Sequence, residues 1–340
     1  MHKLLTFEEA INKSSYLSKR HLLTGNGFSI ACRKDIFMYD SLFQQADFKK
    51  LNPNVFKIFE YLKTKDFELV MKHLKYASEI LRIYSPTSIG LIKQLDNDAE
   101  ELKNVLVNAI ASSHPENPSE INETEYEFCK NFIVHFNNVY TLNYDLLLYW
   151  MFMHFQESKQ LLSDDGFRTP DDGKADYVSW DIEKTDGQNL FYLHGALHVF
   201  DSGSELQKYT WINTGIKLIE QIRNALDTNK FPLFVSEGNS LDKTDKIMHS
   251  NYLSRGLRSF SHITGSLFIY GHSLADNDDH ILNIIPKSKI QNLFISIYGN
   301  INSESNKLIV QKAESIVSKR KGKTPLNLYF FDSTTANVWN

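Results

Sequence analysis

Small, polar and titratable residues follow several apolar runs in this sequence, at places where a protein could bind a ligand and move protons. They are Gly25-Asn26-Gly27-Phe28-Ser29, Thr141-Leu142-Asn143-Tyr144-Asp145, His194-Gly195 and Gly271-His272-Ser273-Leu274. A glycine pair lets a chain turn sharply or lets a phosphate approach the backbone. An imidazole titrates near neutral pH and can act as a general base. Together these residue types indicate a ligand site with acid–base chemistry.

Each group also has a purely structural explanation, and the sequence alone leaves both open. The glycine pair could form only a tight turn. Asn143 and Asp145 could cap the helix that begins after them. His194 could be a core histidine, and His272 could lie on the surface. The acidic run at 275–280 could bind a metal ion, but it more simply places carboxylates at the start of a helix, so we predict no metal site.

Seven apolar runs of similar length are the candidate strands. They cover residues 21–25, 138–142, 190–194, 231–236, 266–271, 292–299 and 326–331. Most are near-continuously apolar rather than alternating, which is typical of strands buried on both faces of a parallel sheet. Helical patterns at 213–226, 250–260 and 303–319 separate the later runs. The sequence therefore predicts an α/β fold: a Rossmann-like, doubly wound, mainly parallel sheet of about six to seven strands.

The chemistry-bearing residues follow the first, second, third and fifth candidate strands. In an open parallel sheet, ligands bind beyond the carboxyl ends of the strands, where the strand order reverses. We therefore expect these residues to converge on one crevice.

Residues 36–136 contain no convincing strand and interrupt the alternation of strands and helices. Apolar residues recur there at three- and four-residue steps over 67–81, which predicts an amphipathic helix. We predict a large helical insert after the first strand, within a sheet domain formed by 1–35 and 137–340. The stretch at 163–187 is rich in Asp and Gly and predicts a mobile loop.

Composition and charge exclude several classes of protein. The 340 residues are 42% hydrophobic and 23% charged, which is an ordinary globular balance. The net charge of -4 offers no global positive field, so we expect no direct contact with nucleic acid or a membrane surface. The apolar runs are too short or too polar to span a bilayer. Two cysteines, Cys32 and Cys129, fit a reducing compartment, and we predict a cytoplasmic protein.

The order of these motifs resembles that of the sirtuin family. Residues 25–29 match the sirtuin pattern Gly-Ala-Gly-x-Ser except at Asn26, and residues 141–145 match Thr-Gln-Asn-x-Asp except at Leu142. His194-Gly195 matches His-Gly, and residues 271–274 resemble Gly-Thr-Ser-Leu. The likeness covers 21–31 and most of 138–332. The sequence is similar to the bacterial sirtuin-like branch that cleaves NAD+ in antiphage defence.

The resemblance implies an NAD+ glycohydrolase that releases nicotinamide and ADP-ribose. In such an enzyme, backbone N–H groups of residues 25–29 would hold the pyrophosphate, and Asn143 would orient the ribose and the attacking water. His194 would take a proton from water or from a ribose hydroxyl. The other residues that the resemblance places at NAD+ are Thr141, Asp145, Gly195, Gly271, His272, Ser273 and Asp332. Asp145 would be either a helix cap or a partner that holds the site in place.

The sequence departs from the sirtuin pattern at the zinc ribbon, and this departure decides which of the family's activities we expect. Sirtuin deacylases carry a zinc ribbon of two cysteine pairs after the His-Gly motif, but this sequence has no cysteine beyond Cys129. We therefore expect no zinc, and peptide deacylation is an alternative rather than the leading prediction. A module that senses NAD+ or ADP-ribose without turnover is another. The resemblance also implies a homo-oligomer and a HerA-type ATPase hexamer as partner. The helical insert would form the interface or would only roof the pocket.

Overall fold

Twelve strands lie in the described part of the computed structural model, which covers residues 3–156, 158–170, 175–210, 216–228, 230–236, 240–322 and 324–340. They are β1 (Leu4–Leu5), β2 (Arg20–Thr24), β3 (Asn138–Thr141), β4 (Phe167–Arg168), β5 (Tyr177–Trp180), β6 (Leu190–Tyr192), β7 (Gly195–Asp201), β8 (Leu206–Tyr209), β9 (Pro232–Phe234), β10 (Thr264–Tyr270), β11 (Lys289–Ile297) and β12 (Asn327–Asp332). Seven form one parallel sheet in the order β1-β12-β11-β10-β2-β3-β6. The predicted mainly parallel, doubly wound α/β fold is confirmed.

The strand order of this sheet reverses at β2. The chain goes from β2 to β3 and β6 on one side, and later returns to add β10, β11 and β12 on the other. Leu267, Phe268 and Ile269 of β10 are fully buried, as expected for a central strand covered on both faces. The loops after β2, β3 and β10 therefore meet at one edge of the sheet, which is the expected position of a ligand crevice.

Fourteen α-helices lie in the same described part of the chain. They are α1 (Phe7–Ser14), α2 (Gly27–Cys32), α3 (Lys34–Phe37), α4 (Tyr39–Gln45), α5 (Pro53–Leu62), α6 (Phe67–Tyr84), α7 (Ile89–Ser113), α8 (Glu123–Ile133), α9 (Leu147–Gln156), α10 (Leu218–Asp227), α11 (Ser240–His249), α12 (Asn251–Ser261), α13 (Asp279–Leu282) and α14 (Glu304–Ser318). The helices predicted at 250–260 and 303–319 are α12 and α14. The one predicted at 213–226 is α10, and its residues 213–215 lie outside the described residues. Over the described ranges, no helix has the length and apolar character needed to cross a bilayer.

Residues 36–136 are helical, as predicted, and the amphipathic pattern at 67–81 lies within α6. Phe67 of α6 and Leu102 of α7 are fully buried and belong to the same hydrophobic core as Leu22 of β2 and Phe268 of β10. The helical insert is therefore packed onto the sheet. Its boundaries as a separate domain stay a prediction.

The second sheet was not predicted. It has five antiparallel strands in the order β4-β5-β8-β7-β9. Two predictions are corrected here: the stretch at 163–187 contains β4 and β5 rather than only a loop, and the run at 231–236 forms β9 of this sheet rather than a parallel strand. The chain leaves the parallel sheet at Gly195, whose φ is +80°. A Cβ there would lie 1.9 Å from the carbonyl oxygen of Leu233, so the corner requires glycine.

Candidate functional site

A cavity of about 1000 Å³ lies beyond the carboxyl ends of β2, β3 and β10. This volume is at the upper end of the range for small-molecule sites. The sheet contributes the loops that follow these three strands. The helical insert contributes Phe37, Leu42, Asp66, Glu68, Leu106 and Ile110. The helical insert therefore covers part of the cavity, which is one of the two roles that the sequence predicts for it.

The loops after β2 and β10 pack against each other through glycines. A Cβ on Gly25 would lie 2.8 Å from the carbonyl oxygen of Gly271, and a Cβ on Gly27 would lie 2.5 Å from the Cα of Gly271. Gly271 itself has a φ of +68°, where other residues are strained. These glycines are required because two backbones approach closely. The sequence could not distinguish this requirement from the approach of a phosphate.

Most backbone N–H groups of the glycine loop already have partners within the protein. Gly25 N donates to Tyr270 O (2.9 Å), Gly27 N to Gly271 O (2.7 Å), Phe28 N to Gly25 O (2.9 Å) and Ser29 N to Asn26 O (3.0 Å). We predicted a pyrophosphate cradle from the amides of residues 25–29, and these four of them are bonded within the protein instead. Gly25, Asn26 and Gly27 still line the cavity with their other atoms.

Asn143 is held by a chain of hydrogen bonds at the cavity wall. Its Nδ2 donates to Ser29 Oγ over 2.8 Å, and Ser29 Oγ donates to Asp145 Oδ2 over 2.5 Å. Asp145 Oδ1 also accepts from the N–H of Leu147 at the start of α9, so Asp145 is both a helix cap and a partner in the site. Burial raises the pKa of Asp145. One of the two N–H donors of Asn143 Nδ2 is engaged in this way, so its second N–H and its carboxamide oxygen are left for a ligand.

His194 lies at the corner between the two sheets and contacts a second imidazole. Only 2% of His194 is exposed, and its Nε2 lies 2.9 Å from Nε2 of His280, so one ring donates to the other. Burial lowers the pKa of His194 well below 6.5. The ring is therefore neutral at pH 7. The predicted titration near neutral pH is wrong, although a neutral ring can still accept a proton.

Three charged side chains meet beside the imidazole pair. Lys243 Nζ lies 2.8 Å from Glu68 Oε2 and 3.0 Å from Asp278 Oδ1, and 1% of the lysine side chain is exposed. His272 Nδ1 accepts from Leu274 N, so its Nε2 carries the proton and donates to Asp278 Oδ2 over 3.0 Å. Burial opposes ionisation of Asp278, but Lys243 and this hydrogen bond outweigh it and hold its pKa well below its usual range. An ionised Asp278 thus faces His194, with Oδ1 3.9 Å from the histidine Nε2.

His194, Asp278 and His280 are also the group of potential metal ligands found within the described ranges. Their ligand atoms lie within 4.8 Å of one another. However, the ammonium group of Lys243 already pairs with the Asp278 oxygen nearest to His194. A divalent ion there would be repelled by the ammonium group at short range. We therefore treat these residues as a proton and charge network and assign no metal to them.

Nine of the predicted site residues line the cavity. They are Gly25, Asn26, Gly27, Asn143, Asp145, His194, Gly271, His272 and Ser273. Asn143 and His194, which come from different strand ends, therefore share one cavity. Whether these residues contact NAD+ stays a prediction.

The other five predicted site residues do not line the cavity. Phe28 packs against Trp339, whose Nε1 donates to the Phe28 carbonyl over 3.0 Å. Thr141 Oγ1 accepts from the N–H of Asn143, and Ser29 holds Asn143 and Asp145 as described above. Gly195 forms the corner between the sheets. Asp332 accepts from the N–H of Thr334 and so caps its own turn. Of these residues, Thr141 and Ser29 act on the site indirectly, because they hold Asn143 in place.

Sequence reasoning missed several polar residues at or beside the cavity. They include Lys34, Glu68, Lys243, Asp278 and His280. Asp278 and His280 lie in the acidic run that follows β10, so the rule that ligands bind at strand ends could have found them. Lys34 follows the glycine loop closely. No local pattern marks Glu68 or Lys243, because their contact joins residues 175 positions apart.

Comparisons with known proteins give the family of the chain but no function. A family model described as "Domain of unknown function (DUF4917)" matches residues 22–339. The match begins in β2 and extends over the helical insert, strands β3 to β12 and the loops that follow β2, β3 and β10. A search of curated proteins finds no match. The chain therefore belongs to the DUF4917 family.

Proposed function

We propose that this protein is an NAD+ glycohydrolase that releases nicotinamide and ADP-ribose. The observation that carries the proposal is the joint placement of Asn143 and His194 on one large cavity. That cavity lies where the order of the parallel sheet reverses, which is where nucleotides bind in open α/β sheets. The order of motifs that resembles the sirtuin family supports the same substrate.

The proposed reaction needs an oriented water, a base that takes its proton, and a negative charge that stabilises the protonated base. A water oxygen bonds to the anomeric carbon of the nicotinamide ribose, and the electron pair of the broken glycosidic bond leaves with the nicotinamide. The Asn143 carboxamide orients the water, and the neutral ring of His194 takes the proton that the water loses. Asp278, 3.9 Å from His194, then stabilises the imidazolium ion.

Incubation of the purified protein with NAD+ tests the proposal directly. We expect equal amounts of nicotinamide and ADP-ribose by liquid chromatography. Tight binding of NAD+ in calorimetry without any product would instead identify a sensing module. Formation of O-acyl-ADP-ribose from an acyl-lysine peptide would identify a deacylase.

Lys34 is expected to contribute to NAD+ affinity. It is the one Lys or Arg side chain among the described residues that line the cavity, and the pyrophosphate is negatively charged. Lys34 is exposed, so the ion pair is worth about 1 kcal/mol or less, which corresponds to a loss of up to about 5-fold in affinity for Lys34→Ala. Calorimetry at low and high salt checks this, with Lys93→Ala as a matched exposed control. Equal affinities for the two variants would remove Lys34 from the site.

We also propose that the activity is gated by assembly, as an effector of antiphage defence that works with a HerA-type ATPase. An NAD+ hydrolase without a gate would deplete NAD+ in its own cell. Exposed apolar side chains on α6 and α7 support an interface there, since Ile83 is 77%, Tyr84 85% and Ile89 59% exposed. We expect Ile83→Asp to lower the mass of a homo-oligomer in light scattering. An unchanged mass would place the interface elsewhere.

A further inference from the structure

Glu68 brings a charge from the helical insert into the site, and we infer that it is a positioning residue for the His194–His280 pair. It is the second residue of α6, whereas Lys243 belongs to α11 and Asp278 to the turn after β10. Three separate parts of the chain therefore meet at one buried ammonium group. The inference rests on the proposed function for its kinetic test, and on geometry alone for its spectroscopic test.

One oxygen of Glu68 holds two neighbours of the imidazole pair. Glu68 Oε2 accepts from Lys243 Nζ and from Asn277 Nδ2, each over 2.8 Å. Lys243 binds the Asp278 oxygen that faces His194, and Asn277 precedes Asp278 in the chain. Glu68 therefore restrains Asp278 from two directions.

A second contact connects Glu68 to the ring of His194. The hydroxyl of Tyr144 lies 3.4 Å from Glu68 Oε1 and donates to the carbonyl of Val235 over 2.7 Å. The Tyr144 ring is nearly parallel to that of His194, with centroids 6.2 Å apart. The His280 ring is also nearly parallel to that of His194, with centroids 5.1 Å apart. The histidine ring is thus in contact with two aromatic rings, one of which touches Glu68.

Charge balance explains why the carboxylate is needed. A buried ammonium group is costly unless it is paired, and removal of one partner leaves an uncompensated charge. Without Glu68, the ammonium group of Lys243 would have Asp278 as its remaining carboxylate. It would then draw Asp278 away from His194 and offset the negative charge that stabilises a protonated imidazole. The position of α6 would thereby set the state of the catalytic histidine.

Kinetics of Glu68→Gln, which keeps the size and removes the charge, test this role. We expect kcat for nicotinamide release to fall about 10- to 100-fold, with KM within about 2-fold of wild type, because the histidine is misplaced while the ligand contacts remain. Glu68→Asp keeps the charge and should retain more activity. The matched control is Glu79→Gln, an exposed carboxylate on the same helix that pairs with Arg82. It should behave as wild type.

Nitrogen NMR of the histidine rings tests the same role without turnover. In Glu68→Gln the ring signals of His194 and His280 should shift, and in Glu79→Gln they should not. Absence of NAD+ cleavage by wild type would defeat the proposed function, but the ring spectra would still decide the role of Glu68. If Glu68→Gln does not fold, Glu68→Asp should shift the same signals because its reach is shorter. Wild-type ring signals and kcat in a folded variant would overturn the inference.

Discussion

Replacement of His194 by alanine is expected to lower the rate of nicotinamide release by about 10²- to 10⁴-fold, the range for loss of a general base. The buried ring is neutral at pH 7, which is the form that can act as a base. Asn143→Ala should cost a similar order, because the carboxamide that orients the water is lost. Initial rates of nicotinamide release at saturating NAD+ measure both effects.

Two further measurements separate lost chemistry from lost structure. His194→Gln keeps a polar group near the position of Nε2, toward His280, but offers no imidazole. It should therefore be as inactive as the alanine variant while melting closer to wild type. Ser29→Ala frees the amide of Asn143 without removing it and should have a smaller effect on kcat. Full turnover by either His194→Ala or Asn143→Ala would defeat the roles that we assign.

The parallel sheet could be predicted because its strands carry their own signal. Runs such as 266–271 and 292–299 are largely apolar, and their residues 266–270 and 292–297 are buried, as expected for strands covered on both faces. Leu4–Leu5 was missed because two residues show no periodicity. The antiparallel sheet was missed for a different reason. Its β5 is half-buried along its length, and Asp165 near β4 is compensated by Lys208 of β8, which lies far along the chain.

The candidate site was predictable where it depends on strand ends and unpredictable where it depends on distant contacts. Asn143 and His194 follow strands, so topology alone places them near each other. The three-way contact among Glu68, Lys243 and Asp278 is set by the packing of the helical insert, which no local pattern encodes. The glycine loop shows a further limit. Its glycines mark a close approach of some group to the backbone, but four of its amides bond to the protein itself, and no residue pattern in the loop encodes this.

Acidification from pH 7 to pH 4 is expected to destabilise the fold strongly, because several histidines are buried in the neutral form. Burial lowers the pKa to about 4 for His21, His114 and His280. His114 shows why: its Nε2 accepts from the N–H of Leu146 over 3.0 Å, while its Nδ1 lies 3.0 Å from the carbonyl of Pro115. A proton on Nε2 would break the bond to Leu146.

The sign and size of this effect follow from linkage. The unfolded chain binds protons at these rings below a pKa of about 6.5, whereas the folded chain resists them until about pH 4, so stability is full above pH 6.5 and falls as the pH drops. At about 1.4 kcal/mol per pH unit, each such ring lowers the free energy of unfolding by about 3 kcal/mol when the pH reaches 4. That is a large part of a typical total of about 5–15 kcal/mol.

Urea unfolding at a series of pH values measures this decline, and His114 offers the sharpest test of its cause. His114→Gln places an amide oxygen near the position of Nε2, so it can still accept from the N–H of Leu146 but binds no proton. This variant should be less stable than wild type at pH 7, yet lose stability more slowly below pH 6.5. The slope of its free energy of unfolding against pH should be smaller by the contribution of about one proton. His73→Gln, at an exposed position, is the matched control for the substitution itself and should be as stable as wild type at pH 7. Parallel curves for wild type and His114→Gln would show that acid acts through other buried groups, such as His21 and His280, rather than through this ring.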